Sequence, residues 1–261
     1  MTAQELFDHF RKMGTWVNWN ATTDHFQIGD PNTEIKAVAV GWQARLDALK
    51  KAHALGCNLF ITHEQFEYPE PQVARKGEIQ PYEANKRRFC EEKGLVVFRC
   101  HDVWDRVPHI GIVDAWAAHL GLTGGSAGNA MEAVHPAPVS TLQELAEYVL
   151  EKTKPLGQDS VEMVGDPKAK ITRVGIGCGA GTDYHKMVQL GADAIIGTDD
   201  GMHYWAEGSW VLDKGLPLVL VNHTVAEEPG LKKLAEYIES TFGIKAHHIP
   251  LGSMYRLVGR S

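Results

Sequence analysis

The chain has 261 residues, of which 44% are hydrophobic and 23% charged, and carries a formal net charge of −7. That length holds one large or two small domains with a real core. Scattered Lys and Arg under a net negative charge argue against a phosphate-backbone binder, so nucleic acid is not an expected partner. No apolar run approaches the ~20 residues of a membrane span, so none is expected. The four cysteines (Cys57, Cys90, Cys100, Cys178) show neither CxxC nor framework spacing, which fits a reducing cytoplasm.

The opening MTAQELFDHFRKMG alternates apolar and charged residues at helical spacing and does not read as a signal peptide. IKAVAVGW (35–42) reads as a strand, ARLDALKKAHAL (44–55) as an amphipathic helix closed by Gly56, and CNLFITH (57–63) as a second strand. A polar, proline-bearing loop is expected to about Pro81, then a helix over YEANKRRFCEEK, the strand LVVFRC (95–100) and a helix at 110–122. GGSAGN (124–129) breaks the pattern as a loop between halves. There follow a helix (TLQELAEYVLEKT), a strand (ITRVGIG), a helix (TDYHKMVQL), a strand (ADAIIG), a helix around His203–Lys214, the strand LPLVLVN and a helix over PGLKKLAEYIEST. His247 and His248 fall in a short apolar stretch expected to form an edge strand. This alternation predicts an α/β fold with a mostly parallel sheet covered by helices.

An internal repeat runs through the pattern. Residues from Ile35 can be laid on those from Ile171 with a one-residue gap, Gly41 falling on Gly177 and Ile61 on Ile196. LVVFRCHDVWD falls on PLVLVNHTVAE, matching His101 to His223 and Asp105 to Glu227. The predicted architecture is therefore two related α/β halves with a cleft between them. The first half is 1–124, completed by 231–261, and the second is 125–230.

Side chains at the carboxyl ends of strands gather at one sheet edge, where ligands bind. Three such ends carry His63–Glu64, His101 to Asp105, and His223 to Glu227. Imidazoles and carboxylates together suit a borderline divalent cation. Two His and three acids exceed the ligand count of a single zinc site, and a carboxylate-bridged pair of metals accounts for the surplus better. On this reading His63, Glu64, Asp105, His223 and Glu227 are metal ligands.

ITHEQF, HDVWD, HTVAEEPG, GIGCGAGTD and GTDDGMHYW, in this order over about residues 35–235, resemble the NGG-interacting-factor-three-like family. Its bacterial members are often labelled GTP cyclohydrolase 1 type 2 homologues. The resemblance implies a dinuclear centre in which His63 and His223 are terminal ligands of one metal, Asp105 serves the other and Glu227 bridges the pair. It also implies that the two α/β halves are interleaved with the metal cleft between them, and it implies homohexamers and a nucleotide substrate such as GTP. The departure is Glu64, where the family more often has His. Glutamate shifts the site toward harder ions such as Mn or Fe, and Glu64 can alternatively serve as general base. His101 is a candidate to hold a ligand in place, and His203 to contact substrate or donate a proton.

GIGCGAGTD (175–183) joins a strand to a helix and is neither GxGxxG nor a P-loop. Gly177, Gly179, Gly181 and Thr182 are either a phosphate-contacting loop or a tight turn capped by Thr182 or Asp183. The expected function is a metal-dependent hydrolase using two divalent ions (Zn, Mn or Fe) on a nucleotide or other phosphate-bearing small molecule. The alternatives are a metal carrier or assembly factor without turnover, and a regulatory adaptor.

Overall fold

The computed structural model describes residues 1–67, 81–125, 127–128 and 130–258. Most of the proline-bearing loop (68–80), and Ser126 and Asn129 of GGSAGN, therefore lie outside the described residues. Two compact units are present: residues 1–104 with 231–250, and residues 105–230 with 251–261. Among the described residues, no helix is long and apolar enough to cross a membrane.

The first unit is built on strands β1 (Phe26–Ile28), β2 (Val38–Gly41), β3 (Leu59–Thr62), β4 (Val96–Arg99) and β10 (Ala246–His248), ordered β1-β4-β3-β2-β10. β2, β3, β4 and β10 are parallel, and β1 runs antiparallel on the edge. β2, β3 and β4 are buried at every position, as expected of strands covered on both faces. Ala39, Phe60 and Val97 pack with Leu49 and Ala52 of α2 (Leu46–Ala54) and Cys90 of α3 (Pro81–Lys93). On the other face Phe98 meets Phe7 and Phe10 of α1 (Ala3–Met13).

The second unit repeats this plan. Its strands are β5 (Glu132–Pro136), β6 (Glu162–Val164), β7 (Arg173–Gly177), β8 (Ala194–Thr198) and β9 (Leu218–Val221), ordered β5-β7-β8-β9-β6. β7, β8 and β9 are parallel, whereas β5 and β6 are antiparallel edges. Tyr184 and Met187 of α6 (Tyr184–Gln189) and Val211 of α7 (Ser209–Lys214) pack with Ile195, Leu218 and Leu220. Val38 faces Leu59 in one sheet and Val174 faces Ala194 in the other, which is the one-residue gap of the sequence repeat.

The repeat reaches further than the sequence alignment suggested. α1 and α5 (Leu142–Thr153) both open on a full capping box, Thr2 with Glu5 and Thr141 with Glu144. Each N-cap threonine also forms an isolated antiparallel bridge, to Glu34 and to Lys170. TAQEL and TLQEL are thus equivalent starts. The halves also exchange segments. α4 (Ile112–Leu120) follows the third parallel strand of the first repeat but lies in the second unit, where Tyr148 of α5 donates to Leu120 O at 2.5 Å. The helix α8 (His223–Phe242) follows the third parallel strand of the second repeat. From Leu231 on it belongs to the first unit, where Tyr237 bonds His9 of α1 at 2.7 Å.

Several expectations need correction. The units divide after Trp104, not after Gly124, because α4 packs on α5 and β7; residues 251–261 go with the second unit. The structure adds β1, β5 and β6, whose short, partly polar sequences carry no long apolar run. The helix expected from Pro229 begins at His223: Asn222 O accepts from the amides of Val225 and Ala226, and Pro229 sits inside. Proline there forfeits the hydrogen bond to the carbonyl four residues back and crowds that carbonyl, a cost the rest of this 20-residue helix offsets. The helix expected around His203–Lys214 divides into a π-turn, Tyr204–Gly208, and α7, because the Gly208 amide reaches His203 O five residues back. His247 and His248 take the expected edge position in β10.

Candidate metal centre

In the first unit, β3 delivers His63 and Glu64 just beyond its last residue. The backbone there is pinned: the amides of His63 and Glu64 donate to Gly41 O and Trp42 O, and the Thr62 hydroxyl donates to Glu64 O at 2.7 Å. His63 is only 1% exposed. Its Nδ1–H donates to Cys100 O at 3.3 Å, which turns Nε2 to the opposite side of the ring.

Arg99, the last residue of β4, is buried and makes three bonds. Nε–H donates to His63 O at 2.8 Å, one terminal nitrogen to the Thr23 hydroxyl at 2.6 Å, and the other to Glu64 Oε2 at 3.0 Å. His101 stacks on His63 with ring centroids 4.5 Å apart and planes at 26°. Its Nδ1–H donates to Asp102 Oδ1 at 2.9 Å, while Nε2 lies 3.7 Å from Glu64 Oε1. The His101 bond, with a second from the Thr22 hydroxyl, holds the Asp102 carboxyl at about 2. His63, Glu64 and His101 each offer one ligand atom, all within 4.8 Å of one another.

The loop carrying His101 is shaped by Asp24, a buried residue ahead of β1. Its carboxylate accepts the amides of His101, Asp102 and Val103 at 2.8, 3.2 and 3.0 Å. Burial raises its pKa, and those amides oppose the rise. Nothing in the sequence marks Asp24 or Arg99: the signal is the path of the chain, 77 positions separating Asp24 from His101.

In the second unit, β9 ends at Val221, Asn222 follows and α8 starts at His223, so His223 and Glu227 stand four apart on one helix face. Their Nε2 and Oε1 are 2.8 Å apart, and His223 Nδ1 lies 2.7 Å from Asp200 Oδ2. Burial works against a charged imidazole, but Glu227 and Asp200 outweigh it and push His223 up to about 11. Asp199 fixes the turn, accepting the His223 amide at 3.1 Å, the Asn222 side-chain amide at 2.7 Å and the Tyr255 hydroxyl. Asp105 sits in a one-turn 3₁₀ helix, Trp104–Arg106, and is 5% exposed. Asp105 and Glu227 both act on Cys178, whose thiol is driven well above its ordinary value by burial first and by these carboxylates next. Asp199 and Asp200 lie in the GTDDG segment, where the sequence reading singled out no acid.

The glycine loop also belongs to this unit. Gly179 has φ +80°, and a Cβ there would lie 3.0 Å from His223 Nε2 and 3.4 Å from Glu227 Oε1, so glycine lets the loop approach that pair. A Cβ on Gly177 would meet Met187 and Thr182 at 2.8 Å, whereas nothing lies within 4 Å of Gly181. Thr182 turns inward, its hydroxyl donating to Gly179 O at 2.9 Å. Asp183 caps the Lys186 amide at 2.9 Å, and buried Glu132 accepts the Asp183 amide at 3.3 Å and the Lys186 ammonium at 2.6 Å. Carboxylates of the chain thus occupy the start of α6. His203 is exposed, its Nδ1 3.0 Å from Glu207 Oε2, and it leads into the π-turn carrying exposed Tyr204 and Trp205.

These buried His, Glu and Asp groups could hold a metal ion: the donors are mixed imidazole and carboxylate, and the second nitrogen of His63 and of His101 is fixed by its own partner. Among solved structures, the chain is similar to the Staphylococcus aureus protein SA1388, with 17% identity, 99% of each chain covered and a TM-score of 0.79. It is similar to a Bacillus cereus protein related to NIF3, at 15% identity, 99% coverage of each and a TM-score of 0.79. It also resembles reduced HcgD from Methanocaldococcus jannaschii, at 20% identity, covering 96% of this chain and 98% of that one with a TM-score of 0.73. At these identities the likeness shows the fold. No curated protein matches the chain. The profile of the Duf34/NIF3 (NGG1p interacting factor 3) family matches residues 3–251, and the chain belongs to that family.

Proposed function

We propose that this protein binds two divalent metal ions and is a metal-dependent hydrolase acting on a nucleotide or another phosphate-bearing small molecule. The ligands in this reading are His63, Glu64, Asp105, His223 and Glu227. The observation that carries it is the setting of His223, held between Asp200 and Glu227 at 2.7 and 2.8 Å. Two carboxylates, one buried and one half-exposed, converge on that buried imidazole, and a divalent cation can take over the charge balance that the imidazolium otherwise supplies.

Bound metal would polarise the substrate and lower the pKa of a water. The chain's own groups do the rest. Asp199 and Asn222 fix the turn from which His223 projects, and Gly179 keeps the opposing backbone clear of a side chain. In this reading Glu64 is a ligand and not the general base, because Arg99 already holds Oε2. His203, exposed and backed by Glu207, is the group we assign to substrate contact or proton donation. From the family resemblance we propose a homohexamer as well, which light scattering would check.

The test is metal content per chain by elemental analysis, on wild type and on Glu64→Ala and Glu227→Ala, followed by a screen of nucleotides for hydrolysis. Two metals in wild type, lost in Glu227→Ala, with turnover of a nucleotide, support the reading. Two metals without turnover of any nucleotide would move it to a carrier. No metal in wild type, and none taken up on addition, would end it.

A further inference from the structure

We propose that Tyr255 is a positioning residue of the second unit, acting through Asp199 on the turn that carries His223 and on its neighbour Asp200. The proposal rests on the metal-binding reading above and adds to it a segment that the family profile leaves out. That profile ends at residue 251, and the bonds that tie the C-terminal segment to the turn run on to Tyr255.

Asp199 is the hub. Its Oδ1 accepts the amides of His223 and Asp200 at 3.1 and 3.0 Å. Its Oδ2 accepts the Asn222 side-chain amide at 2.7 Å and the Tyr255 hydroxyl. Four donors fill the acceptor capacity of a carboxylate, so Asp199 holds the chain rather than a ligand. The two amides it holds belong to residues whose side chains meet, His223 Nδ1 lying 2.7 Å from Asp200 Oδ2. Whatever fixes the Asp199 carboxylate therefore fixes both members of that pair. The Tyr255 hydroxyl does so with a hydrogen bond to a charged acceptor, the stronger kind.

The rest of the segment is laced to the same turn. The Met254 amide donates to Asn222 Oδ1 at 3.2 Å, and the Thr224 hydroxyl lies 2.6 Å from that oxygen and 2.5 Å from Gly252 O. Buried Glu228, next to Glu227 on α8, accepts the amides of Leu251 and Gly252 on Oε1 at 2.6 and 3.2 Å. The Ser253 hydroxyl donates to Tyr255 O at 2.8 Å, closing the segment on itself. Apolar burial does not account for the place of Tyr255, which is 56% exposed and is followed by Leu257 and Val258 at 61% and 97%. A ring left half in water gains little from its apolar surface. The contribution of this side chain is its hydroxyl, which phenylalanine lacks.

The experiment follows Co(II) uptake by metal-stripped, full-length protein through its d–d absorption, and the His223 ring signals of the metal-free protein by NMR. It compares wild type with Tyr255→Phe, Asp199→Asn, the two combined, and Val258→Ala as a control in the same segment, each checked for folding by circular dichroism. Glu227→Gln reports separately on the underlying reading. Expected in Tyr255→Phe are a wild-type fold, shifted His223 signals and Co(II) affinity roughly 10-fold weaker, the lower end of the loss when a group behind a ligand is removed. Asp199→Asn should weaken binding too, and Tyr255→Phe should add little in that background, because the two act along one path. Val258→Ala should match wild type in both readouts. Folded Tyr255→Phe with wild-type signals and affinity, or a fully additive loss in the double variant, would overturn the proposal; if Glu227→Gln still lost metal, the metal-binding reading would stand. A Tyr255→Phe chain that fails to fold would overturn it as well, by making the residue structural. No Co(II) uptake by wild type would overturn both.

Discussion

The two units share a plan, yet they hold their histidines by different means. In the first, a buried carboxylate (Asp24) collects three successive amides, a buried guanidinium (Arg99) balances Glu64, and a carboxylate orients His101 from behind. In the second, the turn receives one amide bond from the corresponding upstream segment, Asn222 N to Gln158 Oε1 at 3.0 Å, and His223 stands between two carboxylates. The scaffold is repeated while the electrostatics is not. One unit balances Glu64 with a guanidinium, and the other balances Asp200 and Glu227 with the His223 imidazolium, whose place a divalent cation can take.

The largest test of this contrast is at the anchors. Asp24→Ala leaves three amides without their acceptor and should destabilise the protein by roughly 3 kcal/mol, whereas Gln158→Ala, removing one, should cost about 1 kcal/mol. Urea melts of the two variants measure the difference, and equal losses would break the comparison. Next comes the glycine loop. Gly179→Ala places a Cβ 3.0 Å from His223 Nε2 at φ +80° and should cost about 1–3 kcal/mol and weaken metal binding. Gly181→Ala, with nothing within 4 Å, should stay within about 0.5 kcal/mol.

The repeat itself predicts equality. Thr2→Ala and Thr141→Ala each dismantle one capping box and should each cost about 1 kcal/mol; a large disparity in thermal melts would show the two starts to be inequivalent. The smallest effect is an expected silence. All four cysteines are free and buried, and burial raises Cys57 to about 11 and Cys90 to about 12. Raising the pH from 7 to 9 should therefore add little thiolate in the native protein, whereas an ordinary exposed thiol titrates through that range. A disulfide-exchange reagent should find four thiols only after denaturation.

Much of the fold was readable because its central strands are continuous apolar runs and its helices carry the 3.6-residue period. The edge strands β1, β5 and β6 were not, since short segments that carry polar residues owe their structure to the neighbour they pair with. The helical start at His223 was hidden by Pro229, a breaker whose cost a long helix offsets. At the site, His63, Glu64, His223 and Glu227 declared themselves by chemistry at strand ends, and His101 by its place in the repeat. Arg99 falls within the predicted strand 95–100, and nothing in the sequence singles out Asp24.

By itself the sequence determined the α/β class and the repeat, and it named most of the residues of the candidate site, because periodicity and residue type act locally along the chain. The tertiary structure alone decided which segment completes which unit, which oxygen of Glu64 is taken and which nitrogen of His101 is held. Those depend on residues tens of positions apart meeting in space, which no local pattern encodes.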